Sequence, residues 1–307
     1  MNTIPPPGRN TLLAAILAGA AERLGPQLEA VQLRQGEVLC QSGARLNHVY
    51  FPSGLIISVQ HILENGNTSE LASIGTEGLL GIASVMGGAH PHSRAVVQAG
   101  GDAYRLPAAL LRLEFHRRPE VMRLLLRYTQ YLMSQLAQMA VCNRHHSTEQ
   151  RLCRWLLQRL DHGPCNELRV TQEALGAALG VRREGVTDIA GRLQVLGAIE
   201  LSRGRLIVLD RAVLARHACE CYSALRDDAR LLARDEAAAA EWRPRIGAAN
   251  RRADSPDRRA ARPSRAAIPL LRVAPGPGAD PAGAADADAL DALDALDGAG
   301  RRRAARN

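Results

Sequence analysis

The chain has 307 residues, enough for about two domains that each bury a core. Its 39 basic against 31 acidic side chains leave a net charge of +8, and every basic residue is arginine; the balance suits an anionic partner and says nothing of fold. No apolar run is long enough to make a helical membrane span, which excludes an integral membrane protein of that kind.

Residues 12–21 are apolar, follow Arg9 and contain Ala18-Gly19-Ala20, a pattern close to a secretory leader. Three prolines, Pro5 to Pro7, displace the basic stretch such a leader needs. Leu13, Ile16, Leu17 and Leu24 instead fall at helical spacing behind Thr11, which predicts an amphipathic helix after a flexible segment at 1–11. Six cysteines, Cys40, Cys142, Cys153, Cys165, Cys219 and Cys221, form no CxxC pair and no regular framework, as a reducing compartment would have it. The expected location is cytoplasmic.

Between residues 31 and 106 short β-rich runs alternate with glycine: 49–51, 55–59, 70–74, 95–97 and 103–106. Strands at this spacing predict a small antiparallel β domain, with Asn65-Gly66 as a hairpin turn whose residues tolerate positive φ. The period then changes. From 119 to 144 Val121, Leu125, Tyr128, Leu132 and Met139 lie on one helical stripe, interrupted by Gln135. Steps of four and three read as a dimer seam; a helix packed on its own β domain is the alternative.

Residues 147–222 read as a third segment, with a helix at 148–160 that turns Leu152, Trp155, Leu156 and Leu160 inward. Helices at 171–179 and 182–196 break at Gly180, and strands at 199–201 and 206–209 flank the turn Ser202-Arg203-Gly204-Arg205. Beyond 222 periodicity fades, with some helix expected to continue through Leu232. From 243 onward there are thirteen arginines against eight aspartates and few large apolar residues, so 223–307 is expected to be mostly a disordered tail carrying much of the net charge.

The strongest pattern is Gln172 to Gly191. A helix-turn-helix needs a small residue where its helices cross, and Gly176 fits; it needs a left-handed residue at the turn, and Gly180 fits. Leu175, Leu179, Val186 and Ile189 sit where the helices must be pinned together, and Thr171 is a plausible N-cap with Glu173 in the first turn. With Val186, Ile189 and Leu193 inward, the outer face of the second helix carries Arg183, Glu184, Thr187 and Asp188, where base edges are read. Arg183 suits guanine and Glu184 cytosine. Thr171, Gln172, Arg182, Arg203 and Arg205 are assigned to phosphates.

Over about residues 12–222 the chain resembles the Crp/Fnr family of bacterial transcription regulators. The residues that carry the likeness are Val170-Thr171-Gln172-Glu173, Gly180-Val181-Arg182-Arg183-Glu184 and the wing. The resemblance implies an α+β chain: a cyclic-nucleotide-binding-like β-roll with an N-terminal helix (12–116), a dimerisation helix (117–146) and a winged helix-turn-helix (147–222). Arg183-Glu184 looks like the family's base-reading pair. Asp188 departs from the second reading arginine of the best-known member, and Arg182 stands where a Ser or Thr cap is usual. The implied partners are double-stranded DNA, a second copy of the chain and RNA polymerase.

The matching effector stretch is Gly78-Leu79-Leu80-Gly81 through Ser93 and Arg94. Members that bind cyclic AMP place a Glu on the ribose hydroxyl and an Arg on the cyclic phosphate. Here Leu79 or Leu80 replaces the Glu, and Arg94 comes one residue late, which in a strand turns it to the other face. The effector is therefore unknown and not expected to be cyclic AMP. The cysteines do not match the family's iron–sulfur branch. Cys142 with His145 and His146 supplies too few ligands for a closed site, and Cys219-Glu220-Cys221 reads as incidental, so no metal or other cofactor is expected. Without a Walker loop, GxSxG or HExxH the chain is not expected to be an enzyme. The alternative is a small-molecule or anion sensor that signals through protein contacts rather than DNA.

Overall fold

A computed structural model describes residues 7–88, 92–162 and 166–241. After a short 3-10 turn at Pro7–Arg9, α1 (Thr11–Leu24) starts behind Asn10, whose Oδ1 accepts the Leu13 backbone N–H at 2.8 Å. Asn10 is fully buried and its amide nitrogen donates to the carbonyls of Pro52 and Gly78. The chain is therefore tied down from residue 10, which corrects the expectation of a flexible segment through 11. Leu12, Leu13, Ile16 and Leu24 turn inward as their spacing requires.

The β domain is built from β1 (Glu29–Leu33), β2 (Val38–Cys40), β3 (His48–Pro52), β4 (Ile56–Ile62), β5 (Thr68–Ile74), β6 (Arg94–Ala99) and β7 (Gly101–Pro107), with the short helix α2 (Ile82–Val85) between β5 and β6. These strands form two antiparallel sheets, β1-β7-β3 and β2-β6-β4-β5. Leu33, Leu55, Ile57, Ile74, Val97 and Ala103 close the core between them. The predicted hairpin at Asn65-Gly66 joins β4 to β5, with Gly66 at φ 81°. Sequence reading missed β1 and β2, whose residues alternate too little to stand out.

Three helices follow: α3 (Ala108–Arg117), α4 (Pro119–His145) and α5 (Thr148–His162). Proline at 119 forces the preceding residue out of helical geometry and separates α3, unforeseen, from the long helix. The winged-helix segment adds β8 (Glu167–Arg169), α6 (Gln172–Leu179), α7 (Arg183–Val195), β9 (Ile199–Ser202), β10 (Arg205–Val208) and α8 (Arg211–His217). Its sheet runs β8-β10-β9 over a core of Leu152, Trp155, Leu175, Val186, Leu193 and Leu206.

The last described element, α9 (Cys221–Glu241), lies along α4 and α1 and places Leu232 in their core. It moves the tail boundary on from 223, past the helix expected to Leu232: Tyr222, Leu225 and Leu232 recur at helical spacing and are buried. The part of the expected tail from 242 onward lies outside the described residues.

The stripe proposed as a dimer seam is corrected as well. Val121, Leu125 and Tyr128 are at most 1% exposed and Leu132 is half-buried, all in the core shared with α1. Tyr128 is fixed by packing on Gly78, where a Cβ would come within 2.3 Å of its ring, and its hydroxyl donates to Leu79 O at 2.8 Å. The adjacent stripe, one residue later, faces outward: Met122, Leu126, Met133 and Leu136 are 38–65% exposed, with half-buried Thr129 and exposed Ala140 completing steps of four and three. One residue is about 100° around a helix, so the choice of stripe decides which surface is free. No described helix is long and apolar enough to cross a membrane.

Candidate nucleic-acid interface

α6 begins at Thr171, whose Oγ1 accepts the Ala174 backbone N–H at 3.1 Å. It ends at Gly180, which takes the left-handed φ of 66° that its position calls for. Gly176 faces the incoming turn so closely that a Cβ would stand 2.8 Å from Val181 O. That approach sets the crossing of α6 and α7. Val186, Ile189 and Leu193 then anchor α7 in the core, and its opposite face is exposed.

On that face lie Arg183, Glu184, Thr187 and Asp188, together as the sequence predicted. Arg182 occupies the N-cap without a side-chain cap bond, so its guanidinium is directed to solvent rather than the helix start. Thr187 Oγ1 lies 3.0 Å from Gln172 Oε1 and 3.1 Å from Arg183 O, which makes it a strut between the two helices before it is a reader. A groove of about 540 Å³ runs between the start of α6, Arg183 and the wing tip Ser202-Arg203-Gly204. Gly204 turns the wing with φ 71°. The wing arginines differ. Arg205 is paired with Glu167 at 2.8 Å, which holds that carboxyl below its usual range, whereas Arg203 has no carboxylate partner among the described residues.

The segment is held to the roll without covering the reading face. Arg159 of α5 makes a buried ion pair with Glu70 of β5, and His162 pairs with Glu77 at 3.2 Å. Gln35 donates to Arg169 O at 2.7 Å.

The residues predicted for an effector are divided between two surfaces. Leu79, Leu80, Gly81 and Ser93 line an apolar cavity of about 220 Å³ in the roll, bordered at its open side by half-buried Leu132 and the exposed Leu136 of α4. Arg94 lies across β6 in a separate groove with Gln60, Arg169 and Ala177. Strand alternation carries Ser93 and Ala95 inward and Arg94 out, so Arg94 is corrected out of the pocket. Gly78 is filled by Tyr128 and leaves no room for a ligand.

Sequence reasoning weighed Cys142 with His145 and His146, and Cys219-Glu220-Cys221, as separate sets and missed that they meet. Cys142 and His146 meet Cys219 and Cys221 at the junction of α4, α5 and α9, with their four ligating atoms within 4.8 Å of one another. The expectation of too few ligands around Cys142 is thereby corrected, with Cys219 and Cys221 rather than His145 joining Cys142 and His146. The i,i+4 spacing of Cys142 and His146 on one helix face was the available signal; their meeting with residues some 75 positions on required the fold.

Residues 150–217 match the Crp-like helix-turn-helix domain. No curated protein matches the chain. Among solved structures it is similar to FixK2 of Bradyrhizobium japonicum, at 14% identity and TM-score 0.55 over 62% of this chain and 98% of that one. It is also similar to TTHB099, a CRP-family transcriptional regulator of Thermus thermophilus, at 18% identity and TM-score 0.53 over 61% and 96%. A third is the c-di-GMP-responsive global regulator CLP of Xanthomonas campestris, at 14% identity and TM-score 0.53 over 63% and 99%. The chain carries a Crp-like helix-turn-helix domain on the fold of the Crp/Fnr transcription regulators.

Proposed function

We propose that this chain regulates transcription as a homodimer that reads a two-fold symmetric DNA site. The observation that carries the reading is the exposed N-terminal face of α7, with Arg183, Glu184 and Asp188 beside an arginine-tipped wing. Arg183 serves a guanine through two parallel N–H donors, and Glu184 accepts from a cytosine amino group. Arg182, Arg203 and the hydroxyl of Thr171 contact phosphates and set the register. Asp188 offers only acceptors, which favours cytosine or adenine amino groups at its step.

Pairing of two copies is supported by the outward stripe Met122, Leu126, Thr129, Met133, Leu136 and Ala140 on α4, whose apolar members are too exposed for a lone helix in water. A parallel pair of these helices would carry two copies of α7 toward successive major grooves. RNA polymerase is the further partner of such a regulator.

The sensor site is the cavity behind Leu79 and Leu80. Its walls are almost entirely apolar, and Arg94 stands on the other side of β6. A cyclic phosphate placed there would lose its hydration without a cation in return, so cyclic AMP is not the effector. An uncharged apolar molecule suits the cavity, and contact with Leu132 and Leu136 would carry its presence to α4. Selection of bound sequences from random duplex DNA tests the reading. It should return an inverted repeat with its half-sites about one helical turn apart. Recovery of no sequence preference, with the protein intact, would favour a sensor that signals through protein contacts.

A further inference from the structure

Four side chains with the chemistry of metal ligands converge where α4 gives way to α5. Cys142 lies in the last turn of α4 and His146 caps it; Cys219 lies between α8 and α9, and Cys221 opens α9. The three cysteines are at most 4% exposed and form a core cluster of their own. Cys142 Sγ stands 3.6 Å from Cys219 Sγ, and Cys221 Sγ stands 3.4 Å from His146 Nδ1. In a tetrahedral site with Zn–S of about 2.3 Å and Zn–N of about 2.0–2.1 Å, the corresponding edges are about 3.8 Å and about 3.6 Å. The two observed edges lie within about 0.2 Å of those lengths, and all four atoms lie within 4.8 Å of one another. Three cysteine sulfurs this close suit one metal ion and not a cubane cluster, whose cysteines bind separate irons.

The surroundings are those of a metal site. His146 turns Nδ1 to the sulfurs, while its Nε2 lies 3.1 Å from Glu220 Oε1, the carboxylate–histidine arrangement that fixes a ligating imidazole. Gln138 Nε2 donates to Cys221 Sγ at 2.9 Å, a bond that favours an anionic sulfur. Three thiolates and a neutral histidine around a divalent ion carry one net negative charge.

We propose that Cys142, His146, Cys219 and Cys221 bind one zinc ion, which staples the end of α4 to the start of α9 across the hinge leading into the winged helix. A set of three soft thiolates and one imidazole in tetrahedral array selects zinc over harder divalent ions. Binding releases the thiol protons to solvent and involves no change of oxidation state. Because α5 leaves the hinge directly after His146, the ion would fix the angle at which the winged helix departs from α4.

The test is metal analysis of the full chain, purified under reducing conditions from zinc-supplemented cells, with no DNA present. The expected result is about one zinc per chain that survives dialysis, and cobalt substitution giving the ligand-field spectrum of a tetrahedral, thiolate-bound ion. Cys142→Ala and Cys221→Ala should each abolish binding. Should those variants fail to fold, Glu220→Ala changes only an exposed side chain and should weaken zinc affinity by about 10–100-fold. Metal-free protein, a Cys142–Cys219 disulfide in its place, an octahedral cobalt spectrum, or zinc retained in full by Cys142→Ala would each overturn the assignment. Metal content is read without DNA, so a failure here is separate from a failure of the DNA-binding proposal.

Discussion

Among the described residues, the ion pair between Glu70 and Arg159 is more deeply buried than the other pair joining the roll to the winged-helix segment, Glu77 with His162. Arg159 Nη2 lies 2.8 Å and 2.6 Å from the two carboxylate oxygens, Ser58 Oγ donates to one of them at 2.6 Å, and both side chains are at most 3% exposed. The guanidinium also lies 4.6 Å from the Trp155 ring centroid, and its Nε has no hydrogen-bond partner among the described residues. Glu70→Ala would leave this cation buried with no anion beside it and only the Trp155 ring face in partial compensation, a cost of about 3–5 kcal/mol. For a folded unit of this size that lowers Tm by about 6–20 °C. The double variant Glu70→Leu, Arg159→Met removes both charges at similar volume and should lie within about 2 kcal/mol of wild type or above it. Thermal unfolding followed by circular dichroism measures all three proteins. If Glu70→Ala costs less than about 1 kcal/mol, the pair behaves as a solvated surface bridge and not as a buried one.

The other expectations concern α4, the hinge between roll and α5, and the turn of α6. Met133→Asp on the outward stripe should leave each protomer folded while sedimentation shifts from dimer to monomer; Leu125→Asp, on the inward stripe, should destabilise the protomer itself by several kcal/mol. A Met133→Asp protein that stays dimeric would remove α4 from the interface. Burial alone would raise Glu77, yet its His162 partner holds the carboxyl below its usual range; burial alone would lower His162, yet Glu77 holds it above its ordinary value. Their joint contribution is full between about pH 4.3 and 6.5, the unfolded values. It falls as His162 deprotonates at higher pH and as Glu77 protonates at lower pH. A plot of Tm against pH should therefore lose its alkaline decline in His162→Gln, and an unchanged decline would assign it to another group. Gly176→Ala gains about 0.5–1 kcal/mol of helix propensity, but its Cβ must push Val181 O from 2.8 Å, so a net loss of about 1–3 kcal/mol is expected in chemical denaturation. A stabilised variant would mean that the α6–α7 crossing is looser than the structure has it.

Local patterns were legible in the sequence where one residue type meets one backbone requirement. Gly176, Gly180 and Thr171 state the helix-turn-helix because close approach, left-handed φ and capping each admit few residues. The displacement of Arg94 followed from strand alternation alone. What failed depended on partners distant in sequence. The stripe through Val121, Leu125 and Tyr128 has the spacing of a seam, and only the position of α1 and α9 decides that it faces inward. The sequence lets a helix run to Leu232 but gives no sign that it docks, because its apolar residues are sparse; Tyr222, Leu225 and Leu232 are nevertheless enough to bury one face. The Cys–His cluster is the extreme case, with ligands from two parts of the chain and no spacing that joins them.

The central claim is that α7 reads sequence while the wing anchors. Fluorescence anisotropy with the selected site, single-base variants of it and an unrelated duplex, each across a range of salt, measures it most directly for wild type, Arg183→Ala and Arg203→Ala. Arg183→Ala should lose about 1–3 kcal/mol on the selected site and little on unrelated DNA, with selectivity relaxed at one symmetric position. Arg203→Ala should weaken every duplex alike and reduce the salt slope by about one for each phosphate it no longer neutralises. Equal losses on all sequences for both variants would show that α7 does not read the site, and would contradict the division of labour between helix and wing.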